Sequence, residues 1–385
     1  MKFDMTSTAT TYQAATTVAE IVENHFIFHH QKAINFDGKA FAYLPNAQVI
    51  EAMVDVAFWA SLRREEGRSP RISIAFLAPE QSEQPFVFQE RLAFTSDILT
   101  KLAPAVEHSG IHLGVWEENG ELYLWGTTTS IPSLCFVLEV VEPGLLVIKH
   151  RRTDGFGKFI NVAVLKGDQI KIIDENSGAL PDCPALLGSM IGIASTTSWN
   201  DSLNVLVQLA VAMRQHQRGG TLLIVPAKSE RWRESIISPI LYKINPVYSG
   251  LSILQKEVLV GQQQEIWQGR LNQVINGLAG LTAVDGATII NDQFEVLAFG
   301  AKISRLPLGK SVEKVLVTEP VFGNEPVVIH PAQNGGTRHL SAAQFVFDQK
   351  DCIALVASQD GRFTIFSWSP CEQIVHAHQV DALLI

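Results

Sequence analysis

A chain of 385 residues, 46% hydrophobic and 18% charged, is long and apolar enough for two or three cored domains, which excludes disorder by composition. The formal net charge of −9 leaves no basic face for coating nucleic acid, although a local cationic pocket for a small phosphate ligand is compatible with it. Cys135, Cys183, Cys352 and Cys371 form no CxxC pair and read as reduced, buried thiols.

In chain order, the N-terminal MKFDMTSTATTYQAATTVAE lacks the apolar core of a signal peptide, and no uninterrupted apolar run reaches membrane-spanning length. A soluble, cytoplasmic protein is expected. A short helix is predicted around 19–25. A second, over 47–63, carries Val49, Met53, Val56 and Ala60 at helical spacing and closes on Arg63-Arg64-Glu65-Glu66-Gly67, with Gly67 just past the cap. Short apolar runs between turn signals then predict strands at 72–77, 112–117, 121–126, 134–141, 145–148, 159–165 and 170–173. Glu118-Asn119-Gly120 and Lys166-Gly167-Asp168 have hairpin-turn chemistry. These elements describe an α+β domain on a mixed antiparallel sheet, assigned to residues 1–190.

The stretch 174–200 is richer in Gly, Pro, Ser and Asp and is the expected boundary, with a second domain over 195–385. It opens on an amphipathic helix capped by Asn200 or Asp201, with Leu203, Leu206, Leu209 or Ala210 and Met213 as its stripe. Gly219-Gly220-Thr221-Leu222-Leu223-Ile224-Val225-Pro226 reads as a central strand, because continuous apolarity implies cover on both faces. A helix at about 265–281 leads into Asp285-Gly286-Ala287, and strands follow at 295–301, 327–330, 352–357 and 363–367.

Two short segments carry candidate chemistry. In Asp285-Gly286-Ala287 a carboxylate precedes two minimal side chains, a pattern that lets a ligand approach the backbone while the acid holds a metal or hydroxyl; an ordinary Asp-Gly turn has the same sequence. In Gly335-Gly336-Thr337-Arg338-His339-Leu340-Ser341, glycines ahead of a helix start and hydroxyl and cationic donors make a phosphate cradle by composition; a capped helix start with a surface arginine is the plain alternative.

Together, over about residues 195–370, these motifs resemble the diadenylate cyclase (DAC) domain. The likeness extends to Leu281-Thr282-Ala283-Val284, to the FEVLAFGAKI run ending at Ile303, and to Leu306-Pro307-Leu308. It implies an α+β to α/β domain with a mixed central sheet flanked by helices, which condenses two ATP into cyclic di-AMP and pyrophosphate between two facing copies of the chain. On that likeness Asp285 binds Mg²⁺ or Mn²⁺ and helps activate the 3′-hydroxyl, and the Gly286 and Ala287 backbone admits the ribose and α-phosphate. Gly336, Thr337, Arg338, His339 and Ser341 hold the phosphates, with Ile303 against the nucleotide. Asp285, Arg338 and His339 are the implied catalytic set. A homodimer or larger homo-oligomer is required.

The chain departs from the pattern where Leu340 replaces a common arginine, where Ala357-Ser358-Gln359 replaces Ser-Glu-Glu, and in a longer stretch between 308 and 335. A guanidinium lost at 340 removes a phosphate contact of about 1.5–3 kcal/mol. A DAC-fold nucleotide receptor without turnover is therefore the rival expectation.

The segments Ala60-Ser61-Leu62-Arg63-Arg64-Glu65-Glu66-Gly67-Arg68 and Glu121-Leu122-Tyr123-Leu124-Trp125-Gly126 are similar to the DACNV sensor type, whose input, small molecule or protein, these residues do not reveal. His25, His29 and His30 lie close together and His376 and His378 form an HxH. No cysteine or acidic partner stands at metal spacing, so no zinc site is predicted. The segment 152–158 lacks phosphate-loop spacing and reads as a turn. Trp116, Tyr123 and Trp125 read as packing on a sheet face.

Overall fold

The computed structural model describes residues 11–34, 41–151, 159–175, 187, 200–256 and 263–385. Two compact units divide the chain, Met1–Ile173 with Ile385, and Asp174–Leu384. The segment 152–158 and Cys183 lie outside the described residues. Among the described residues, no helix is long and apolar enough to cross a membrane.

The first unit carries the helices α1 (Gln13–Ile34), α2 (Ala47–Ser61) and α3 (Ser96–Leu102). Its strands are β1 (Ile72–Phe76), β2 (Phe86–Ala93), β3 (His112–Glu118), β4 (Glu121–Thr128), β5 (Phe136–Glu142), β6 (Leu145–Arg151), β7 (Phe159–Lys166) and β8 (Gln169–Ile172). They form one sheet in the order β2-β4-β3-β1-β5-β6-β7-β8. The β1–β3 pair is parallel and the other pairs are antiparallel, so the sheet is mixed. Val18, Val22 and Phe26 of α1 and Ile50, Met53 and Ala57 of α2 bury against Ile72, Ile74, Leu138 and Ile148. Each fully buried aliphatic or aromatic side chain there contributes about 1.5–3 kcal/mol of transfer free energy. On the other sheet face, Ala75, Leu77, Trp125 and Val137 pack together, and the Trp125 indole N–H donates to the Leu77 carbonyl at 2.8 Å.

Helix α1 is much longer than the predicted 19–25. Its buried stripe of Ala15, Val18, Ala19, Val22 and Phe26 is blurred by Ile21, Ile27 and Phe28, apolar residues on the exposed side that weaken the amphipathic period in the sequence. Helix α2 stops at Ser61, and Gly67 (φ +82°) sits in the separate Glu65–Arg68 turn instead of past the cap. Strand β2 and helix α3 went unpredicted. β2 is an edge strand largely exposed on both faces and lacks the alternation that marks a half-buried strand.

The second unit contains α4 (Asn200–Gln215), α5 (Gly250–Lys256), α6 (Gln263–Thr282) and α7 (Thr337–Asp348). Its strands are β9 (Gly220–Val225), β10 (Tyr242–Tyr248), β11 (Ala287–Asn291), β12 (Val296–Ala301), β13 (Val315–Thr318), β14 (Val327–Ile329), β15 (Ile353–Ala357), β16 (Phe363–Ser369) and β17 (Ile374–Gln379). The sheet order is β10-β12-β11-β9-β15-β16-β17-β13-β14. β9 lies between β11, parallel to it, and β15, antiparallel. Leu222 faces Leu206, Leu209 and Met213 of α4 and Leu271, Ile275 and Leu278 of α6, while Leu223 faces Ala342, Phe345 and Val346 of α7. Cover on both faces is the reason the strand is apolar throughout. The fold is therefore α+β in two parts, each built on a mixed sheet with helices. Helix α4 already begins at Asn200, so the predicted caps Asn200 and Asp201 fall within its first turn.

Candidate active site

The strand registers gather one end of the second sheet. Thr221 of β9 pairs with Ala287 of β11, Ala287 with Ala301 of β12, and Gly220 with Ala357 of β15. The residues next to these ends, Gly219, Asp285-Gly286, Lys302 and 358–362, therefore share one rim of the sheet. Helix α7 starts beside it with Gly336 as N-cap and Thr337 as first residue. Its next residue, Arg338, lies against the chain at Gly219, where an added Cβ would stand 2.9 Å from the guanidinium.

Asp285 is 89% exposed in its side chain and forms an ion pair with Lys302. The Lys302 ammonium, through its hydrogen bond and charge, and more weakly Arg338, hold the carboxyl below the usual carboxylate range. It is ionised at neutral pH. Gly286 adopts φ +110°, and a Cβ there would lie 2.5 Å from the Gly300 carbonyl carbon. Its missing side chain thus has an internal cause, the close passage of the end of β12. Ala287 is buried in β11. Of the three motif residues, Asp285 alone presents a functional group to solvent.

His339 is only 3% exposed, and its Nε2 lies 3.2 Å from the Thr364 hydroxyl on β16. Its ring sits so close to Gly335 that a Cβ there would stand 2.5 Å from Nδ1. Burial, then the Arg362 and Arg338 charges, push its pKa down to about 4. The imidazole is neutral at physiological pH and braces the start of α7 instead of adding a cation to the rim. Asp360 and Arg362, in the β15–β16 turn, form a second ion pair (Nε–Oδ2 2.7 Å), and Arg362 lowers the Asp360 pKa to about 2. Lys302 and Arg362 were not anticipated from the sequence. They come from strand ends whose neighbours are set by register, and only the basic residue directly after the FEVLAFGA run offered a signal for the first.

A cleft of about 510 Å³ adjoins this rim, lined by Ile303 and Arg305 after β12, Ser311, Val312 and His330, and Leu340, Ser341 and Gln344 on α7. The stretch between 308 and 335 thus supplies one wall. Arg305 donates to the Ser311 hydroxyl at 2.7 Å, and the Ser341 hydroxyl is engaged by the Thr337 carbonyl at 2.8 Å. Asp285, Gly286, Ala287, Gly336, Thr337, Arg338 and His339 accordingly meet at the sheet rim, while Ile303 and Ser341 line the neighbouring cleft. Cations, a helix N-terminus and a cleft of small-molecule size suit a phosphorylated ligand.

Residues 39–129 match the family described as "Probable sensor domain DACNV", a stretch that spans β1 to β4 and includes both sensor-like segments. No curated protein matches the chain. The crystal structure of a double mutant of DacA from Staphylococcus aureus is similar at 14% identity, over 45% of this chain and 83% of that one. Its TM-score of 0.23 is too low to bear on the site.

Proposed function

We propose that the second unit binds ATP at the rim formed by β9, β11 and the start of α7 and condenses two molecules into cyclic di-AMP, under control of the first unit. The observation that carries this reading is Asp285, an ionised and exposed carboxylate set between Lys302 and the field of Arg338 within the DAC-like motifs. One carboxylate completed by substrate phosphates is the usual way a protein holds Mg²⁺ or Mn²⁺, so these residues fit such an ion. When bound, it would neutralise charge on the reacting phosphates. Arg338 and Lys302 compensate the same charge, the free N–H groups of α7 orient it, and Asp285 helps activate the attacking 3′-hydroxyl; each attack forms one bond to an α-phosphate and breaks its bond to the β-phosphate, releasing pyrophosphate. His339 keeps Arg338 in place. Exposure of Asp285 leaves room for a second copy of the chain to present its nucleotide, so turnover requires a homodimer or larger assembly.

Purified protein incubated with ATP and Mn²⁺ or Mg²⁺ should yield cyclic di-AMP by chromatography, and Asp285→Asn should abolish the product. The receptor reading is favoured by Leu340, which lines the cleft with an apolar side chain where a guanidinium would engage phosphate. ATP binding with no product, across metals and protein concentrations, would decide for the receptor.

A further inference from the structure

His25 and His29 stand one helical turn apart on α1 and share one face of it. His150, the sixth residue of β6, follows Leu146 and Ile148 in the alternation that fills the core beneath the helices, so it points to the same side. Three imidazoles meet there, within the first unit. Their ring centroids are 4.4 Å apart for His25 and His29, and 5.6 Å for each of these with His150.

We propose that His25, His29 and His150 form a binding site for a divalent transition-metal ion, with Zn²⁺ the best fit. Metal–Nε2 bonds of about 2 Å at tetrahedral angles put the centroids of three bound imidazoles roughly 5 Å apart. The observed spacings bracket that value, so modest side-chain rotation brings the nitrogens together. One nitrogen of His25 already lies within 4.8 Å of one of His29. The Nε2 atoms of all three rings are screened from solvent. His150 Nδ1 lies 3.1 Å from the Arg151 carbonyl, and since a carbonyl only accepts, Nδ1 carries the proton and Nε2 carries the lone pair. A backbone acceptor that fixes the tautomer is what a metal-bound histidine needs behind it. Phe26, in contact with His25 and His150, and Phe136 behind it give the site an apolar wall. Imidazole ligands select Zn²⁺, Co²⁺ or Cu²⁺ over Mg²⁺ or Ca²⁺.

The test uses the full chain, stripped with a chelator and titrated with Co²⁺. A tetrahedral cobalt absorption spectrum that saturates at one ion per chain and is displaced by Zn²⁺ is expected. His29→Gln should weaken the affinity at least tenfold with the circular dichroism spectrum unchanged, and His150→Gln should do the same wherever it folds. His30→Gln is the control, because that ring packs on Phe41 outside the cluster. Asp285→Asn should leave the signal unchanged, which separates this site from the nucleotide site. Absence of retained metal, an octahedral spectrum, or equal losses in His30→Gln and His29→Gln would overturn the assignment.

Discussion

At Gly286 a positive φ and a Cβ-to-carbon distance of 2.5 Å to Gly300 coincide, so the turn that aims Asp285 outward cannot carry a side chain. Gly286→Ala should destabilise the second unit by about 2 kcal/mol or more, since a strained φ alone costs roughly 1–3 kcal/mol. A thermal melt without nucleotide reads this directly, and an unchanged melting temperature would refute it. Leu340 supports the opposite kind of substitution. It is 37% exposed and lines the cleft, so an arginine there need not be buried. Leu340→Arg should tighten ATP binding about 10-fold or more, the equivalent of about 1.5–3 kcal/mol for one charge-assisted contact. Calorimetric titration showing no gain would remove Leu340 as the weak point of the site. Asp285 and Arg338 were legible because each sits in a contiguous motif whose residue types already imply ligand chemistry. Lys302 and Arg362 were not, because sheet register alone brings them to the rim. Burial of His339 was equally hidden, since sequence gives a histidine's identity but not its neighbours Thr364, Phe366 and Gly335.

Elements were readable to the degree that their burial was one-sided and periodic. β9 announced itself through two-sided cover and α2 through its stripe, whereas β2 and β10 lie on sheet edges with mostly exposed residues and carry no period. Ending α1 at 25 separates His25 from His29, and only the full element, with β6 beside it, brings both to His150. Helix α7 depends on its neighbour in a similar way, through the hydrogen bond between His339 and Thr364. Thr364→Val deletes that partner while keeping shape, and should cost about 1 kcal/mol of stability. It should also weaken ATP binding several-fold by loosening the start of α7, with Thr364→Ser restoring both. Equal behaviour of the two variants in denaturation and binding assays would show that the hydroxyl has no bracing role.

Across the whole molecule, buried neutral histidines set the response to acid. In the first unit His112 is pushed down to about 4, by burial and then by Lys149 and Arg151. In the second, His339 is held at about 4 and His378 at about 3, the latter by burial and then His376. An unfolded histidine titrates near 6.5, so below that pH the unfolded chain binds protons that the folded chain refuses. Stability from these groups is fully present above about pH 6.5 and is lost as pH falls toward 4, each group contributing a slope of up to about 1.4 kcal/mol per pH unit. Asp285 and Asp360 have lowered carboxyl pKa values, so their own loss begins only near pH 4 and does not blur this window. Both units should therefore weaken as pH falls from 6.5 to 4.5, the first through His112 and the second through His339, His378 and, in the same direction, His216, whose pKa burial lowers. Urea unfolding at stepped pH, followed by Trp232 in the second unit and Trp125 in the first through single-tryptophan variants, measures both slopes. His378→Gln should make the second unit's slope shallower than in the unsubstituted protein, and an unchanged slope would contradict a neutral, buried imidazole at 378.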